Sequence, residues 1–404
     1  MRVYVARQPI FDARQRVQGY ELLFRSGLEN VFPNVSGDEA SISVLDAAFM
    51  SIGIERLTGG KRAFINFTEE LLRQSIPIAL PKETVVIEIL ESVQPDETII
   101  RACKDLKARG HTLALDDFKV DADLNPLAMI ADIIKVDFLD TPYEKCRQVV
   151  TDPRLAHVVF LAEKVETQEM FRDAEEMGYT YFQGYFFSRP EITSAKDISP
   201  QQLTHMQLIA EASRADFDIE RITDIISRDL ALSYRLLRLV NSAAFGLRTK
   251  VSSVRHAILL LGQREIKRWI SALALMSVAD RKPDALVTIP VFRGRFAELL
   301  APAAGLGDKS SELFLVGLFS MLDALLDRNM DDALAYLPLS SDITDALLGK
   351  PGPLYDMLQL VKFYENADWD KVSQYATKLG LDESVMPDAY IEAAEWVSDF
   401  AVTT

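Results

Sequence analysis

Residues 84–118 read TVVIEILESVQPDETIIRACKDLKARGHTLALDDF. The run opens on Thr84–Ile89, rich in β-branched residues and suited to a strand. Asp96–Arg109 then sets Ile99, Ile100, Cys103 and Leu106 on one face at helical spacing, and Gly110 supplies a stop. A second apolar run, Thr112–Asp116, ends on the pair Asp116–Asp117. Strand, helix and strand in that order predict a parallel unit with a covered face.

The alternation continues on both sides. Val3–Ala6, Arg62–Asn66, Ile133–Asp137, Val158–Glu163 and Thr180–Gln183 read as further strands. This pattern fits a doubly wound sheet or a barrel equally well. After Arg189–Pro190 the texture changes. Segment 191–202, EITSAKDISPQQ, is polar, holds a proline and reads as a linker or domain-edge turn. Beyond it the period is helical, as in Ser233–Val240, Val254–Leu261, Arg264–Ala279 and Asp388–Phe400. Leu236, Leu237 and Val240, and again Ile258, Leu259 and Leu261, are expected to pack in a core.

The 404 residues, 49% hydrophobic and 26% charged, suit two or three globular domains. A net charge of −16 argues against general nucleic-acid binding, so a phosphate-bearing ligand needs a local site of metal ions, Arg or Lys. Cys103 and Cys146 sit in no CxxC pair, which predicts two reduced cysteines and neither a disulfide scaffold nor a zinc site. The first residues, MRVYVARQPIFD, do not form a signal peptide. No stretch approaches the roughly 18–20 apolar residues of a spanning helix. A cytoplasmic protein without membrane attachment is expected.

Polar residues recur where the strands end. Asn66 ends RAFIN, Glu88 lies in VVIEI, and Asp116 and Asp117 end LALDD. Lys135 lies in IIKVD, Glu163 ends VVFLAE and Gln183 follows YTYF. In a barrel of parallel strands this is the rim where active sites form. Buried carboxylates are costly unless paired or metal-bound, and several on one rim point to a divalent cation with oxygen ligands.

With those residues in place, the first half resembles the EAL domain family of cyclic-di-GMP phosphodiesterases. The resemblance rests on RQPIFD (7–12), GYELLFR (19–25), FINFTEELL (64–72), IEILES (87–92), LALDDF (113–118), IIKVD (133–137), LAEKVET (161–167) and FQGYFFSRP (182–190). It implies an α/β modified TIM barrel of EAL type over residues 1–195, with an antiparallel strand near its start. It also implies cyclic di-GMP as ligand and Mg²⁺ or Mn²⁺ as cofactor. By the same resemblance Glu21, Asn66, Glu88 and Asp116 hold one metal, and Asp117 helps hold a second. Lys135 and Glu163 complete the catalytic group around the attacking water. Gln8, Arg25 and Gln183 face the ligand, and Glu91 anchors the loop after the aspartate pair.

Two stretches depart from the family. Phe118 is followed by KVDADLNPL (119–127) in place of Gly-Thr-Gly and a Tyr-Ser-Ser run, so Lys119 replaces the loop glycine. Lys164 stands where AEGVET has its glycine. A side chain there strains a turn of positive φ or crowds the site, or else points into solvent. The family's loop positions the second metal and couples dimer contacts to catalysis, which leaves a homodimer among the assemblies. With the loop altered, binding accompanied by slow or undetectable hydrolysis is expected. The rival reading is a catalytically inactive receptor or scaffold.

The second half, 196–404, resembles the all-α HDOD domain. The resemblance rests on the helix from Asp229 to Leu239, Asn241-Ser242, Phe245-Gly246, Ser252–Ala257 and Leu261-Gly262. It implies output through contacts with a protein partner. The chain's histidines are His111, His157, His205 and His256, with no adjacent His-Asp pair, so metal catalysis is not expected in this half. Arg235, Arg238, Arg248, Lys250 and Arg255 read as a solvated helix face or a local partner surface.

Overall fold

The computed structural model describes residues 3–26, 53–118, 125–186, 205, 208, 218–241, 250–278, 282–335, 337 and 339–403. The chain divides into two compact units, Met1–Phe187 with Tyr364–Trp369, and Ser188–Phe363 with Asp370–Thr404. The expected boundary at 195/196, like the linker 191–202, lies outside the described residues.

In the first unit eight strands close into a barrel in sequence order. They are β1 Val3–Asp12, β2 Val17–Ser26, β3 Arg62–Phe67, β4 Val85–Ile89, β5 Thr112–Leu115, β6 Ile133–Asp137, β7 Val159–Glu163 and β8 Tyr181–Gln183. β1 runs antiparallel to both β2 and β8, while β2 to β8 run parallel to one another. The closed barrel settles the choice that strand and helix pattern left open. β2 is an addition to the strands read from pattern. Its entry turn has no glycine. Instead Gln15 takes a φ of 57°, and Asp12 Oδ1 accepts from the backbone N–H of Arg14 and Arg16, both at 2.9 Å.

Helix α1, Glu97–Ala108, covers the step from β4 to β5 much as the sequence predicts. Asp96 caps it by accepting from Ile99 N at 2.9 Å, and Ile99, Cys103 and Leu106 are buried. Cys103 and Cys146 are buried free thiols, and burial pushes each up to about 11.

Ile10, Phe64, Val86, Ala114, Ile133 and Leu161 form a buried layer inside the barrel, with Tyr181 packed against it. Side chains two apart on a strand share a face. The next layer toward the C-terminal ends of the parallel strands is therefore Asn66, Glu88, Asp116, Lys135, Glu163 and Gln183, with Gln8 from the reversed β1. Gly19 leaves room for this stacking. A Cβ there would lie 2.8 Å from Arg62 O and 3.0 Å from the Phe64 ring. Two residues on, Glu21 faces the polar layer, in register with Gln8.

The second unit is helical in all its described elements. Helices α2 Ile219–Arg228 and α3 Leu230–Val240 are followed by Asn241, whose side chain bonds both Val251 N (2.7 Å) and Val251 O (2.8 Å). Val254–Val278 is two helices broken at Gly262, φ 74°. Leu236, Val240, Ile258 and Leu261 are buried, but Leu259 is 48% exposed and leaves the expected core set. The covered stripe of this helix takes Ala257, Ile258 and Leu261, and Leu259 falls with Leu260 on the exposed side. His256 is exposed, as are Arg238, Lys250 and Arg255; Arg255 bonds Glu220 at 2.9 Å. Ser242, Phe245, Gly246 and Arg248 lie outside the described residues. No described helix is long and apolar enough to cross a membrane.

Helices α4 Ala285–Leu300 and α5 Ser310–Leu318 meet backbone to backbone at Gly294 and Gly317. A Cβ on Gly317 would lie 2.5 Å from the Arg293 carbonyl carbon, and one on Gly294 2.5 Å from Phe314 O. Gly317→Ala is expected to destabilise the helical unit by about 2–3 kcal/mol, since a backbone neighbour cannot swing aside. An unchanged denaturant midpoint would show that the two helices part at little cost.

Candidate active site

Lys135, 1% exposed, stands at the centre of the polar layer. Its Nζ lies 2.8 Å from Asp116 Oδ1, 2.8 Å from Glu163 Oε1 and 3.4 Å from Glu21 Oε2, and it pairs directly with Glu88. Each partner comes from a different strand, and closure of the barrel brings them together. Gln183 Nε2 donates to Glu21 Oε2 (2.7 Å) and Gln8 Oε1 (3.0 Å), and Asn66 Nδ2 donates to Glu21 Oε1 (3.1 Å).

Four carboxylates share this one ammonium. For Lys135, burial works against its charge, but Glu163, Glu21, Glu88 and Asp116 together hold its pKa well above the usual lysine value. Burial first, then the charges of Glu21 and Asp116, lift Glu88 well above the carboxylate range despite Lys135. Burial pushes Glu163 up to about 8. Three buried oxygens of this layer have no hydrogen-bond partner: Asn66 Oδ1, Glu88 Oε2 and Gln183 Oε1. Buried acceptors left without donors, beside surplus negative charge, fit a hard divalent cation with oxygen ligands. Gln8, Glu21, Asp116, Asp117, Lys135, Glu163 and Gln183 also line a cavity of about 370 Å³.

Family profiles divide the chain in the same order as its folds. The EAL domain profile matches residues 45–190 and the HDOD domain profile residues 199–330. A protein of Bacillus subtilis (strain 168), the uncharacterized protein YuxH, is 40% identical over 404 residues, covering 98% of each chain. The cyclic di-GMP phosphodiesterase CdgJ of Vibrio cholerae serotype O1 is 37% identical over 400 residues, covering 98% of this chain and 92% of its own. The chain belongs to the EAL–HDOD family. Among solved structures, the Klebsiella pneumoniae BlrP1 calcium/cyclic-di-GMP complex is 23% identical with a TM-score of 0.39, over 47% of this chain and 56% of its own.

In this EAL–HDOD protein the EAL match begins after β1 and β2, yet those strands close the barrel and carry Gln8 and Glu21. Of the residues expected at the site, Glu21, Asn66, Glu88, Asp116, Lys135, Glu163, Gln183 and Gln8 converge. Asp117 is at the cavity edge with a φ of 41°, and burial, then the charge of Asp116, raises its pKa. Glu91 stands apart from the Lys135 cluster. It lines a neighbouring hollow with Asp116, Asp117 and Phe118. The Arg25 side chain and Lys119 lie outside the described residues.

Two features went unsingled in the sequence. Asp137, two residues after Lys135 and in register with Glu163, is a buried rim carboxylate paired with Lys164. In the helical unit His205 Nε2 lies 3.0 Å from Asp229 Oδ2, a His–Asp pair made in space. No signal short of the fold joins positions 24 residues apart.

The raised pKa of Glu88 fixes the sign of one prediction. Burial makes the charged form of Glu88 costly in the folded state, so stability is lost as pH rises from about 4.3, the unfolded carboxylate's value, toward the raised folded one. Glu88→Gln is expected to raise the melting temperature of the cation-free protein at pH 7.5, by roughly 2–4 °C per kcal/mol relieved. A lower melting temperature would mean that its charge is needed beside Lys135.

Proposed function

We propose that this chain is a bacterial cytoplasmic cyclic-di-GMP protein whose barrel binds the dinucleotide with a divalent cation and hydrolyses it slowly to the linear form. The helical HDOD half would carry output through contacts with a protein partner. One observation carries the reading: carboxylates from four strands converge on Lys135, with three buried oxygens beside them still without donors. Kinship with the Vibrio phosphodiesterase supports the choice of substrate.

Glu21, Asn66, Glu88 and Asp116 would hold Mg²⁺ or Mn²⁺. A bound divalent cation supplies an activated water and neutralises oxyanion charge. Lys135 places fixed positive charge where negative charge develops on the phosphodiester. Glu163, which burial pushes up to about 8, can accept a proton from the attacking water in its ionised form. Gln183 orients Glu21 and Gln8 by donating to both. The net reaction adds water across one P–O ester bond, with a proton passing to the departing ribose oxygen.

The test is incubation of the purified chain with cyclic di-GMP and Mn²⁺, with product analysis beside a binding isotherm. Binding with slow appearance of linear dinucleotide is expected. Binding without any cleavage would make the barrel a receptor, and no binding with Mn²⁺ present would leave a protein-interaction role alone.

A further inference from the structure

The rim holds a second acidic group beside the Lys135 cluster, formed by Asp117 and Asp137. It differs from the first in one respect. Asp137 has its donors: Oδ1 accepts from Leu139 N at 2.7 Å and Asp140 N at 3.0 Å, and Oδ2 pairs with the Lys164 ammonium. Asp137, buried, has both oxygens satisfied, whereas the first cluster leaves three buried oxygens without a partner. The first group has one ammonium, Lys135, for four carboxylates, while in the second Lys164 pairs with Asp137.

Lys164 holds an unusual backbone place to supply that charge. Its φ is 52°, the left-handed region that favours glycine. The turn is clamped, because Val165 N donates to Gln183 O at 3.0 Å and Gly184 lies so close that a Cβ there would sit 2.6 Å from Val165 N. The lysine therefore cannot relax its φ by moving the turn. Its side chain is 51% exposed, lines the same cavity as Glu21 and Asp117, and meets the Asp137 carboxylate at the rim. A strained residue at a cavity edge points to function in that direction of inference.

The geometry points to Lys164 as a built-in replacement for a second divalent cation: the site takes one ion, at the Glu21–Asn66–Glu88–Asp116 cluster, and the Lys164 ammonium neutralises the Asp117–Asp137 side facing the anionic ligand. The inference rests on the functional reading above and reduces to one the two cations that the resemblance implies. It reverses the role that resemblance gave Asp117 as a holder of a second metal.

The experiment is calorimetric titration of metal-stripped, full-length protein with MnCl₂. Wild type is expected to bind one Mn²⁺ per chain. Lys164→Gly, which suits the left-handed backbone and so keeps the turn, is expected to bind two. Lys164→Arg, which keeps the charge, should bind one. A wild type that binds two, a Lys164→Gly protein that stays at one, or a Lys164→Arg protein that gains a second would overturn the inference. A wild type that binds one Mn²⁺ but leaves cyclic di-GMP intact would overturn the hydrolytic reading and support this one. A wild type that binds none would overturn both.

Discussion

Lys135→Met is expected to lower the stability of the cation-free barrel by about 3–5 kcal/mol, the usual penalty for removing one partner of a buried ion pair. Methionine nearly matches the length of lysine, so packing changes little while the charge is lost. Glu21, Glu88, Asp116 and Glu163 then face one another without the ammonium that each now contacts. At roughly 2–4 °C per kcal/mol the melting temperature should fall by about 6–20 °C in EDTA. Mn²⁺ should restore part of the loss, because a ligand that binds the folded state alone stabilises it. The sign is opposite to that of Glu88→Gln, and the pair of variants measures whether the cluster is over-acidic. An unchanged melting temperature for Lys135→Met would mean that the carboxylates are mostly protonated without it.

Glu21→Ala is expected to weaken Mn²⁺ binding by about 100-fold or more and to slow single-turnover hydrolysis at least as much. Glu21 does two things. Its oxygens belong to the cation cluster, and they receive Asn66 Nδ2, Gln183 Nε2 and the Lys135 ammonium. Removing it deletes a ligand and frees the amides of two others, and loss of an orienting partner alone costs 10–100-fold in metal affinity. A misplacement of 1 Å in the reacting groups costs a comparable factor in rate. The folded protein should survive, since one negative charge leaves an acidic cluster. Full hydrolysis by Glu21→Ala would remove the site from the chemistry.

Much of the site was legible because strand periodicity and chemistry agree. Asn66, Glu88, Lys135 and Glu163 each stand two residues beyond Phe64, Val86, Ile133 and Leu161 of the buried layer, so a reading of strand ends finds them together. Helix α1 was legible through its apolar face and the glycine stop after it. β2 was not read as a strand from pattern, although GYELLFR was quoted for its resemblance. Its turn depends on Gln15 adopting a left-handed conformation that composition does not announce. Lys164 left two readings open, strain at positive φ or a solvent-facing side chain, and the structure combines them: φ is 52°, and the half-exposed side chain bends back to Asp137. That pairing depends on a turn clamped against Gly184, a tertiary contact. Leu259 was misassigned to the core because a run of leucines fills every face of its helix, and sequence alone does not say which face is covered.

The most direct test of the cation site is anomalous diffraction from crystals soaked in Mn²⁺. The account predicts an anomalous peak with oxygens of Glu21, Asn66, Glu88 and Asp116 at roughly 2.0–2.6 Å from it. A peak bound by other residues, or no peak at this rim at saturating Mn²⁺, would contradict it.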